Sequence, residues 1–219
     1  MVGRILVVAQ QKGGSGKTTL AAHLAVAHAA SGRVAILDVD PQGSLGQWFE
    51  RRERRLGEGE TGLTLRTASG WGAKREARLL AREFDFVLID MPPRSDLEAR
   101  NAIEAADLAV VPVQPTPVDL WATEATLDLV AKGGPPAILV INRAPVRAIA
   151  APTLAALQSL AAPVAVNRLA NRVAFGATMG NGSTVMEAFP GSKAADEVHA
   201  LTDELGHMLA SGGRAKAGR

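Results

Sequence analysis

The stretch QQKGGSGKTT, residues 10–19, decides the fold. It follows the apolar run RILVVA (4–9) and opens a helical pattern, which is the order of strand, glycine-rich loop and helix in a phosphate-binding loop. The glycines let backbone N–H groups turn toward phosphate oxygens, and the helix N-terminus after them favours an anion. The strict loop pattern requires a glycine where this chain has Gln11, so the stretch is a variant of that loop.

Two lysines lie in this loop, although one is enough to bind a nucleotide phosphate. Lys17 is placed to reach the β- and γ-phosphates, the Thr18 hydroxyl to ligate Mg²⁺, and Thr19 to contact the α-phosphate. Lys12 is surplus to that scheme and needs a separate explanation. The predicted phosphate-binding residues are Lys12, Gly13, Gly14, Ser15, Gly16, Lys17, Thr18 and Thr19.

The composition of the chain excludes several classes of site. Its 219 residues are 47% hydrophobic and 21% charged, as expected for one soluble globular domain. It has no cysteine, which excludes disulfides, thiolate metal sites and cysteine nucleophiles. The formal net charge is only +2, so a basic surface must arise from the placement of charges. Because no signal-peptide organisation and no membrane-spanning run is evident, we expect a cytoplasmic protein without stable membrane association.

Short runs of Val, Ile and Leu alternate with helical patterns, which predicts an α/β fold with a doubly wound, mostly parallel sheet flanked by helices. The predicted strands are 4–9, 33–39, 86–90, 108–113, 137–142 and 163–167, with an edge strand at 63–68. The predicted helices are 17–31, 42–55, 72–83, 95–106, 118–132, 150–161 and 193–210. We expect a single phosphate-loop domain over residues 1–210 and a disordered basic tail at 211–219.

Acidic residues lie at the ends of two of the predicted buried strands. Asp38 and Asp40 come at the end of one strand, and Asp90 ends another. The carboxyl ends of parallel strands share one edge of the sheet with the phosphate loop. Carboxylates at that edge can hold Mg²⁺-bound waters or orient an attacking water. The alternative is that Asp38 and Asp40 only cap the next helix.

Four motifs, in this order, resemble the ParA/MinD family of deviant Walker A ATPases. KGGSGKTT (12–19) resembles the family's phosphate loop, DVDPQGS (38–44) its second motif, and LIDMPP (88–93) its Walker B strand end. The segment 171–198 is similar to the C-terminal signature of ParA proteins. The resemblance covers nearly the whole chain. It is strongest to the short partition and positioning ATPases that have no N-terminal DNA-binding domain.

The resemblance implies an ATP hydrolase with ATP and Mg²⁺ as cofactors. It implies that Asp40 positions the attacking water, and that Thr18, Asp38 and Asp90 form the metal site, Asp38 and Asp90 without direct bonds to the ion. The residue after Asp90 is Met91, where the family commonly has Thr or Cys. That departure leaves open how the adjacent loop responds to the nucleotide.

The resemblance also gives the surplus lysine a role. In the family this lysine reaches across a nucleotide-sandwich dimer to the phosphates of the partner copy, where added positive charge promotes hydrolysis. ATP would then join two copies and hydrolysis would separate them. The implied catalytic set is Lys12, Lys17 and Asp40. From the sequence alone, a solvated loop lysine explains Lys12 equally well.

The nucleotide base needs a pocket of its own. The loop PVQPTPVDL (112–120) comes after a predicted strand, and its Pro115 and Pro117 are placed to pack against a purine. Asn142 ends the next strand and can hydrogen-bond the adenine edge through its amide. The resemblance supports both assignments, although prolines after a strand are also ordinary loop formers.

The resemblance implies that the ATP-bound dimer binds DNA without sequence preference and is then nucleoid-associated. It also implies a ParB-like or small adaptor partner that stimulates hydrolysis. The charged segment 50–62 is either a solvated helix face, with Glu50 and Arg54 at i,i+4 spacing, or a nucleic-acid patch. The candidate contacts to DNA phosphates are Arg143, Arg147, Arg168, Arg172 and Lys193.

Two rival functions use the same fold. A MinD-like membrane-associated ATPase would end in an amphipathic helix, but the polar face of 192–210 is acidic, which opposes anionic lipid and favours packing onto the domain. A dethiobiotin-synthetase-like ATP-dependent ligase is the second rival, on fold analogy alone. The apolar face of the last helix consists of Val198, Leu201, Leu205 and either Met208 or Leu209.

Overall fold

Six parallel strands form one sheet in the computed structural model, which describes residues 2–93 and 97–216. The order of the strands across the sheet is β3-β2-β4-β1-β5-β6, and every neighbouring pair is parallel. The strands are β1 (Arg4–Val8), β2 (Val34–Asp38), β3 (Leu63–Thr67), β4 (Phe86–Asp90), β5 (Leu108–Val113) and β6 (Ala137–Ile141). The predicted parallel α/β fold is confirmed, and so is the edge strand, which is β3.

Helices cover both faces of the sheet, and this arrangement explains why the strands are apolar on both sides. All residues of β2 and β5 are buried. The helices are α1 (Lys17–Ala29), α2 (Ser44–Leu56), α3 (Gly70–Glu83), α4 (Leu97–Ala105), α5 (Pro117–Gly133), α6 (Ala151–Gln158), α7 (Val173–Gly180), α8 (Val185–Ala188) and α9 (Lys193–Lys216).

The two faces of the sheet form two separate apolar clusters. Alternate residues of β1 point to opposite sides, so Leu6 packs with α1, α2 and α9 while Val7 packs with α3 and α4. A third cluster lies between β5, β6, α5 and α6 around the fully buried Leu157. The helices of both layers connect to the carboxyl edge of the sheet, which is where ligands bind in folds of this type.

The predicted strand at 163–167 is wrong. Only Val164 makes a bridge to the sheet, with Leu139 of β6. The N–H groups of Val166 and Asn167 instead donate to the carboxylate of Glu204 on α9, at 2.8 and 2.9 Å. A side chain distant in sequence therefore takes the hydrogen bonds that a strand would have made, and no local pattern shows this.

The last helix packs onto the domain, as predicted from its acidic outer face. Val198, Leu201, Leu205 and Leu209 are buried against the cluster that contains α1, while Met208 is only partly buried. The helix continues to Lys216, beyond the start of the predicted disordered tail, and residues 217–219 lie outside the described residues. Within the described part of the chain, no helix combines the length and apolar character that a bilayer crossing requires.

The charged segment 50–62 is partly structural. Glu50 and Arg54 form the predicted exposed i,i+4 pair at 3.5 Å. Arg52, in contrast, is buried, and its guanidinium donates to both carboxylate oxygens of Glu187 at 2.8 and 2.9 Å. This ion pair ties α2 to α8 across a long sequence separation. Arg52 therefore belongs neither to a solvated face nor to a nucleic-acid patch.

Candidate functional site

The phosphate loop between β1 and α1 is open on one side and closed on the other. Gly14 and Gly16 have φ of 75° and 91°, a conformation that favours glycine, and Gly16 caps the N-terminus of α1. A Cβ on Gly13 or Gly14 would meet no atom within 4 Å, whereas one on Gly16 would collide with the amide of Asn142. The loop thus presents free space at its tip, where phosphate groups enter such loops.

Asn142 holds this loop in place from the end of β6. Its Nδ2 donates to the carbonyl of Ser15 at 2.8 Å, and its Oδ1 accepts from the backbone N–H of Arg143 at 2.9 Å. Asn142 lies at a cavity next to the loop, as predicted, and its amide makes these two hydrogen bonds within the protein. The structure therefore gives Asn142 a role in fixing the loop, and the second N–H of its amide leaves the hydrogen bond to adenine a prediction.

Lys17 is a nearly buried cation at the start of α1, with only 7% of its surface exposed. Burial lowers its pKa, and the nearby carboxylates of Asp90 and Asp40 partly oppose that shift. Its Nζ makes one long contact, 3.5 Å, with the carbonyl of Lys12. A desolvated ammonium with so little compensation is suited to bind an anion from outside the protein.

Asp38 and Asp90 lie side by side at the carboxyl ends of β2 and β4, where the strand register pairs them directly. Asp38 accepts hydrogen bonds from the backbone of Asp40 at 3.0 Å and of Gly46 at 2.9 Å, one on each oxygen. Burial nevertheless raises its pKa. Asp38 thereby holds the turn that carries Asp40, consistent with the capping alternative for this residue.

Asp90 is fully buried, and neither of its carboxylate oxygens has a hydrogen-bond partner of good geometry among the described residues. Burial raises the pKa of Asp90 to about 7; the hydroxyl of Thr18 and the charge of Lys17 act in the opposite direction. An acidic group left without partners beside a hydroxyl fits a hard cation such as Mg²⁺. The described residues contain no cluster of three metal-ligating side chains, so such an ion would share its ligands with phosphate and water.

Lys12 is ion-paired within its own chain. Its Nζ lies 2.7 Å from Oδ2 of Asp119 in the first turn of α5, and Thr116 also hydrogen-bonds that oxygen. Asp119 is 2% exposed and its Oδ1 has no hydrogen-bond partner in the described part of the chain, while Lys12 is 33% exposed. Lys12 is therefore neither solvated nor spare in a single copy. The sequence analysis missed Asp119 because the pairing joins residues 107 positions apart.

A cleft of about 470 Å³ opens over the phosphate loop. It brings together Lys17, Thr18 and Asp40, as predicted from the sequence. Asp40 also accepts a hydrogen bond from the backbone of Gln42 at 2.9 Å, which fixes its carboxylate at the rim. The sequence analysis missed the wall supplied by α2 and α7, which consists of Ser44, Gln47, Trp48, Arg51, Met179 and Gly180.

A second cavity of about 430 Å³ adjoins the first and shares Gly16, Thr19 and Arg143 with it. Its outer wall is the segment 170–173 and the first turns of α7, within the predicted C-terminal signature. Pro115 and Pro117 line neither cavity; Pro117 instead begins α5. A base in the second cavity would contact the C-terminal segment, while a contact of the base with Pro115 or Pro117 stays a prediction.

The five predicted DNA contacts separate into two groups. Arg143, with a φ of 50°, lines both cavities, and Arg172 forms an ion pair with Glu197 at 2.6 Å. The nucleotide site and the fold therefore already use these two arginines. The second group is exposed and forms no salt bridge with any described residue. It consists of Arg147, Arg168 and Lys193.

Comparison with known proteins agrees with this site. The profile of the CobQ/CobB/MinD/ParA nucleotide binding domain matches residues 6–194. The chain is 28% identical over 208 residues to the maintenance of carboxysome distribution protein A of Halothiobacillus neapolitanus, covering 91% of this chain and 95% of that protein. It is 36% identical over 154 residues to the chromosome-partitioning ATPase Soj of Thermus thermophilus, covering 58% of this chain and 60% of Soj.

A solved structure has the same fold. The septum site-determining protein MinD of Pyrococcus horikoshii, complexed with Mg-ADP, superimposes with a TM-score of 0.80 at 20% identity. The superposition covers 96% of this chain and 98% of that one.

Proposed function

The chain belongs to the CobQ/CobB/MinD/ParA nucleotide-binding family, and from this premise we propose that it is a Mg²⁺-dependent ATPase that positions or partitions a cargo as an ATP-joined dimer. The observation that carries the proposal is the presence, beside one cleft, of a buried lysine and a buried aspartate whose charges are only partly compensated. Among the described residues, Lys17 has no anionic partner within hydrogen-bond distance, and Asp90 has no hydrogen-bond donor of good geometry. Mg²⁺ and a nucleotide phosphate supply the missing partners of both.

The residues of the cleft divide the work of phosphoryl transfer. The backbone of Gly13 and Gly14 and the ammonium of Lys17 would hold the phosphates, and Thr18 with Asp90 would hold Mg²⁺, which would supply positive charge to the transferred group. Asp40 lies at the rim of the same cleft and orients the attacking water. Asp38 maintains the turn that presents Asp40. Phosphoryl transfer depends on positioning more than on covalent steps by the protein, so its rate can time a switch between two states.

Lys12 provides the link to a second copy. In one copy its ammonium is turned to Asp119, and it does not line the phosphate cleft of its own chain. We propose that ATP binding lets Lys12 leave Asp119 for the phosphates of a facing copy. Hydrolysis removes that anion and returns Lys12 to Asp119, so the dimer separates. Two of the relatives are named for carboxysome distribution and chromosome partitioning, which supports a switch of this kind.

The ATP-bound dimer is proposed to bind DNA without sequence preference, through Arg147, Arg168 and Lys193. Two copies double the number of phosphate contacts, so binding should appear only in the dimer and fall steeply with salt. Nucleoid association in the ATP-bound state is the expected consequence. An adaptor or ParB-like protein that completes the active site is proposed to stimulate hydrolysis and reset the cycle.

The test is size-exclusion chromatography with duplex-DNA binding, with and without ATP and Mg²⁺. Asp40→Ala should accumulate as a DNA-bound dimer, because it binds ATP but cannot orient water. Lys12→Ala should bind ATP but lose hydrolysis. Asp128→Asn, an exposed acid on α5, is the matched control and should behave as wild type. A protein that stays monomeric with ATP, or ignores DNA in both states, would disprove the proposal.

A further inference from the structure

The outer face of α3 carries an exposed stripe of aromatic, aliphatic and basic side chains. Trp71 is 63% exposed and Leu79 40% exposed, and three arginines share their face. The spacing of i, i+4, i+7, i+8 and i+11 aligns all five side chains along the helix. We name these residues the α3 stripe: Trp71, Arg75, Arg78, Leu79 and Arg82.

A groove of about 500 Å³ runs along the α3 stripe beside α4, with Lys74 and Asn101 on its α4 side. Lys74 and Arg100 both form ion pairs with Glu104 beside the groove, at 2.7 and 2.9 Å. Beneath it, α3 and α4 pack through the fully buried small side chains Ala73, Ala77 and Ala102. The groove is thus preformed, and none of its lining residues lines either nucleotide cavity.

The arginines of the α3 stripe are not neutralised by the part of the chain whose side chains are described. Arg75, Arg78 and Arg82 take part in no salt bridge there, while neighbouring Lys74 does. Arginine and tryptophan are the side chains most enriched where protein partners contribute most binding energy. A cationic stripe with an apolar centre is complementary to an acidic segment that also carries apolar side chains.

Duplex DNA matches this surface less well. Glu76 and Glu83 flank the α3 stripe on the same helix and would face a long polyanion. The apolar surface of Trp71 and Leu79 would remain unfilled, since duplex DNA presents phosphates and sugars to a protein surface. We therefore propose that the α3 stripe is the docking site for an acidic, amphipathic helical segment of a protein partner. This site is distinct from the nucleotide cleft and does not depend on the function proposed for it.

The test measures binding of a synthetic peptide to the full chain by fluorescence anisotropy. The probe is a helical peptide of about 15 residues, or four turns, with leucines on one face and glutamates on the other. Two control peptides replace either the leucines by serine or the glutamates by lysine, and both should fail to bind. Affinity for the probe should fall as salt rises but stay the same with and without ATP.

Two pairs of variants locate the binding site. Trp71→Ala should weaken probe binding at least about tenfold, and Trp121→Ala, an equally exposed tryptophan on α5, should not change it. Arg78→Glu combined with Arg82→Glu should abolish probe binding and leave DNA binding intact, while Arg147→Glu with Arg168→Glu should do the reverse. All of these positions are exposed, and unchanged melting temperatures will verify folding.

Four results would overturn the proposal. The first is that the probe does not bind wild type, and the second is that Trp71→Ala and Trp121→Ala weaken probe binding equally. The third is that the double variant Arg78→Glu with Arg82→Glu loses DNA binding. The fourth is that wild type self-associates and that this double variant does not. The third result would make the stripe a nucleic-acid interface, and the fourth an interface between copies of the chain.

Discussion

The strands β2 and β4 both end in an aspartate at paired positions of the sheet, but the two carboxylates differ in their hydrogen bonds. Asp38 has a backbone donor on each oxygen, whereas Asp90 has none among the described residues. Both are buried, and burial raises the pKa of both. The tight turn after β2 returns its N–H groups to Asp38, but residues 91–93, after β4, donate none to Asp90. A buried acid without a hydrogen bond of good geometry is costly, which is the basis for the proposal that a bound metal ion stabilises Asp90.

The two lysines of the phosphate loop repeat this contrast with the opposite charge. Lys12 is satisfied by Asp119 at 2.7 Å, while Lys17 has only one carbonyl at 3.5 Å. Asp38 and Lys12 hold local structure through their partners, whereas Lys17 lines the cleft and Asp90 lies beside Lys17 and Thr18. Substitution of the unsatisfied aspartate should therefore raise the stability of the nucleotide-free protein and strongly reduce hydrolysis. Substitution of the satisfied aspartate should lower stability and reduce hydrolysis less.

The largest effect is expected for Asp90→Asn. Hydrolysis should fall about a hundredfold or more, because the carboxylate that would hold Mg²⁺ through bound water is lost. The nucleotide-free protein should gain stability at neutral and basic pH. The pKa of Asp90 rises from 3.8 to about 7 on folding, so wild type loses stability as pH climbs between these values, and the neutral amide removes this loss. The gain from the substitution should be larger at pH 8 than at pH 5 by roughly 2 kcal/mol.

Urea unfolding at pH 5 and pH 8, without nucleotide, measures this effect. Asp128→Asn, with an exposed side chain, serves as the control. Added Mg-ATP should stabilise wild type and not Asp90→Asn, which reverses their order. A stability difference that does not grow between pH 5 and pH 8 would contradict the interpretation of Asp90 as an unsatisfied acid.

Asp38→Asn should have the opposite effect on stability. The amide group would place an N–H donor against the N–H of Gly46 or Asp40, which leaves a buried group unsatisfied. We expect a loss of about 1–3 kcal/mol in the free energy of unfolding. Hydrolysis should fall less than in Asp90→Asn, because the turn that carries Asp40 loosens without loss of a metal ligand. If Asp38→Asn stabilises the protein as Asp90→Asn does, the contrast between the two strand ends is wrong.

Asp119→Asn should release Lys12 and favour the ATP-joined dimer. The ion pair to the partly exposed Lys12 is worth about 1 kcal/mol, and two are broken in each dimer, so half-maximal dimerisation should occur at a protein concentration about thirtyfold lower. Sedimentation velocity with Asp40→Ala as the background isolates assembly from hydrolysis. Asp128→Asn on the same helix should leave the dimerisation curve unchanged. A weaker dimer would show instead that Asp119 orients Lys12 for its partner.

The smallest effect is expected on the salt dependence of DNA binding, which should differ between variants of Arg168 and Arg172. Arg168→Ala should weaken binding to duplex DNA and reduce the salt slope by about 2, because the dimer loses one phosphate contact in each copy. Arg172→Ala should change the salt slope less, since Glu197 already neutralises this guanidinium at 2.6 Å. Titrations at several salt concentrations compare the two variants. Equal slopes would mean that Arg172 leaves Glu197 when DNA binds.

The structural elements predicted from the sequence agree with the structure where a local pattern specifies them. The phosphate loop, both acidic strand ends and the parallel sheet are consequences of glycine spacing and of apolar runs of strand length. The sequence places Pro115 and Pro117 at the base, whereas the cavity that adjoins the phosphate loop is lined by residues between 170 and 177, which no local pattern assigns to a base. The strand at 163–167 failed because Glu204, from the last helix, takes its hydrogen bonds.

The sequence by itself determined the elements, their order and the loop that cradles phosphate, because backbone conformation and burial periodicity are local properties. Tertiary structure alone decided which charges are satisfied, since a hydrogen bond between distant residues depends on how the layers pack. QQKGGSGKTT assigns Lys17 to the phosphates by its spacing, but it does not show what Lys12 contacts. Only the packed α5 shows that Asp119 holds Lys12, while Lys17 remains available to the nucleotide.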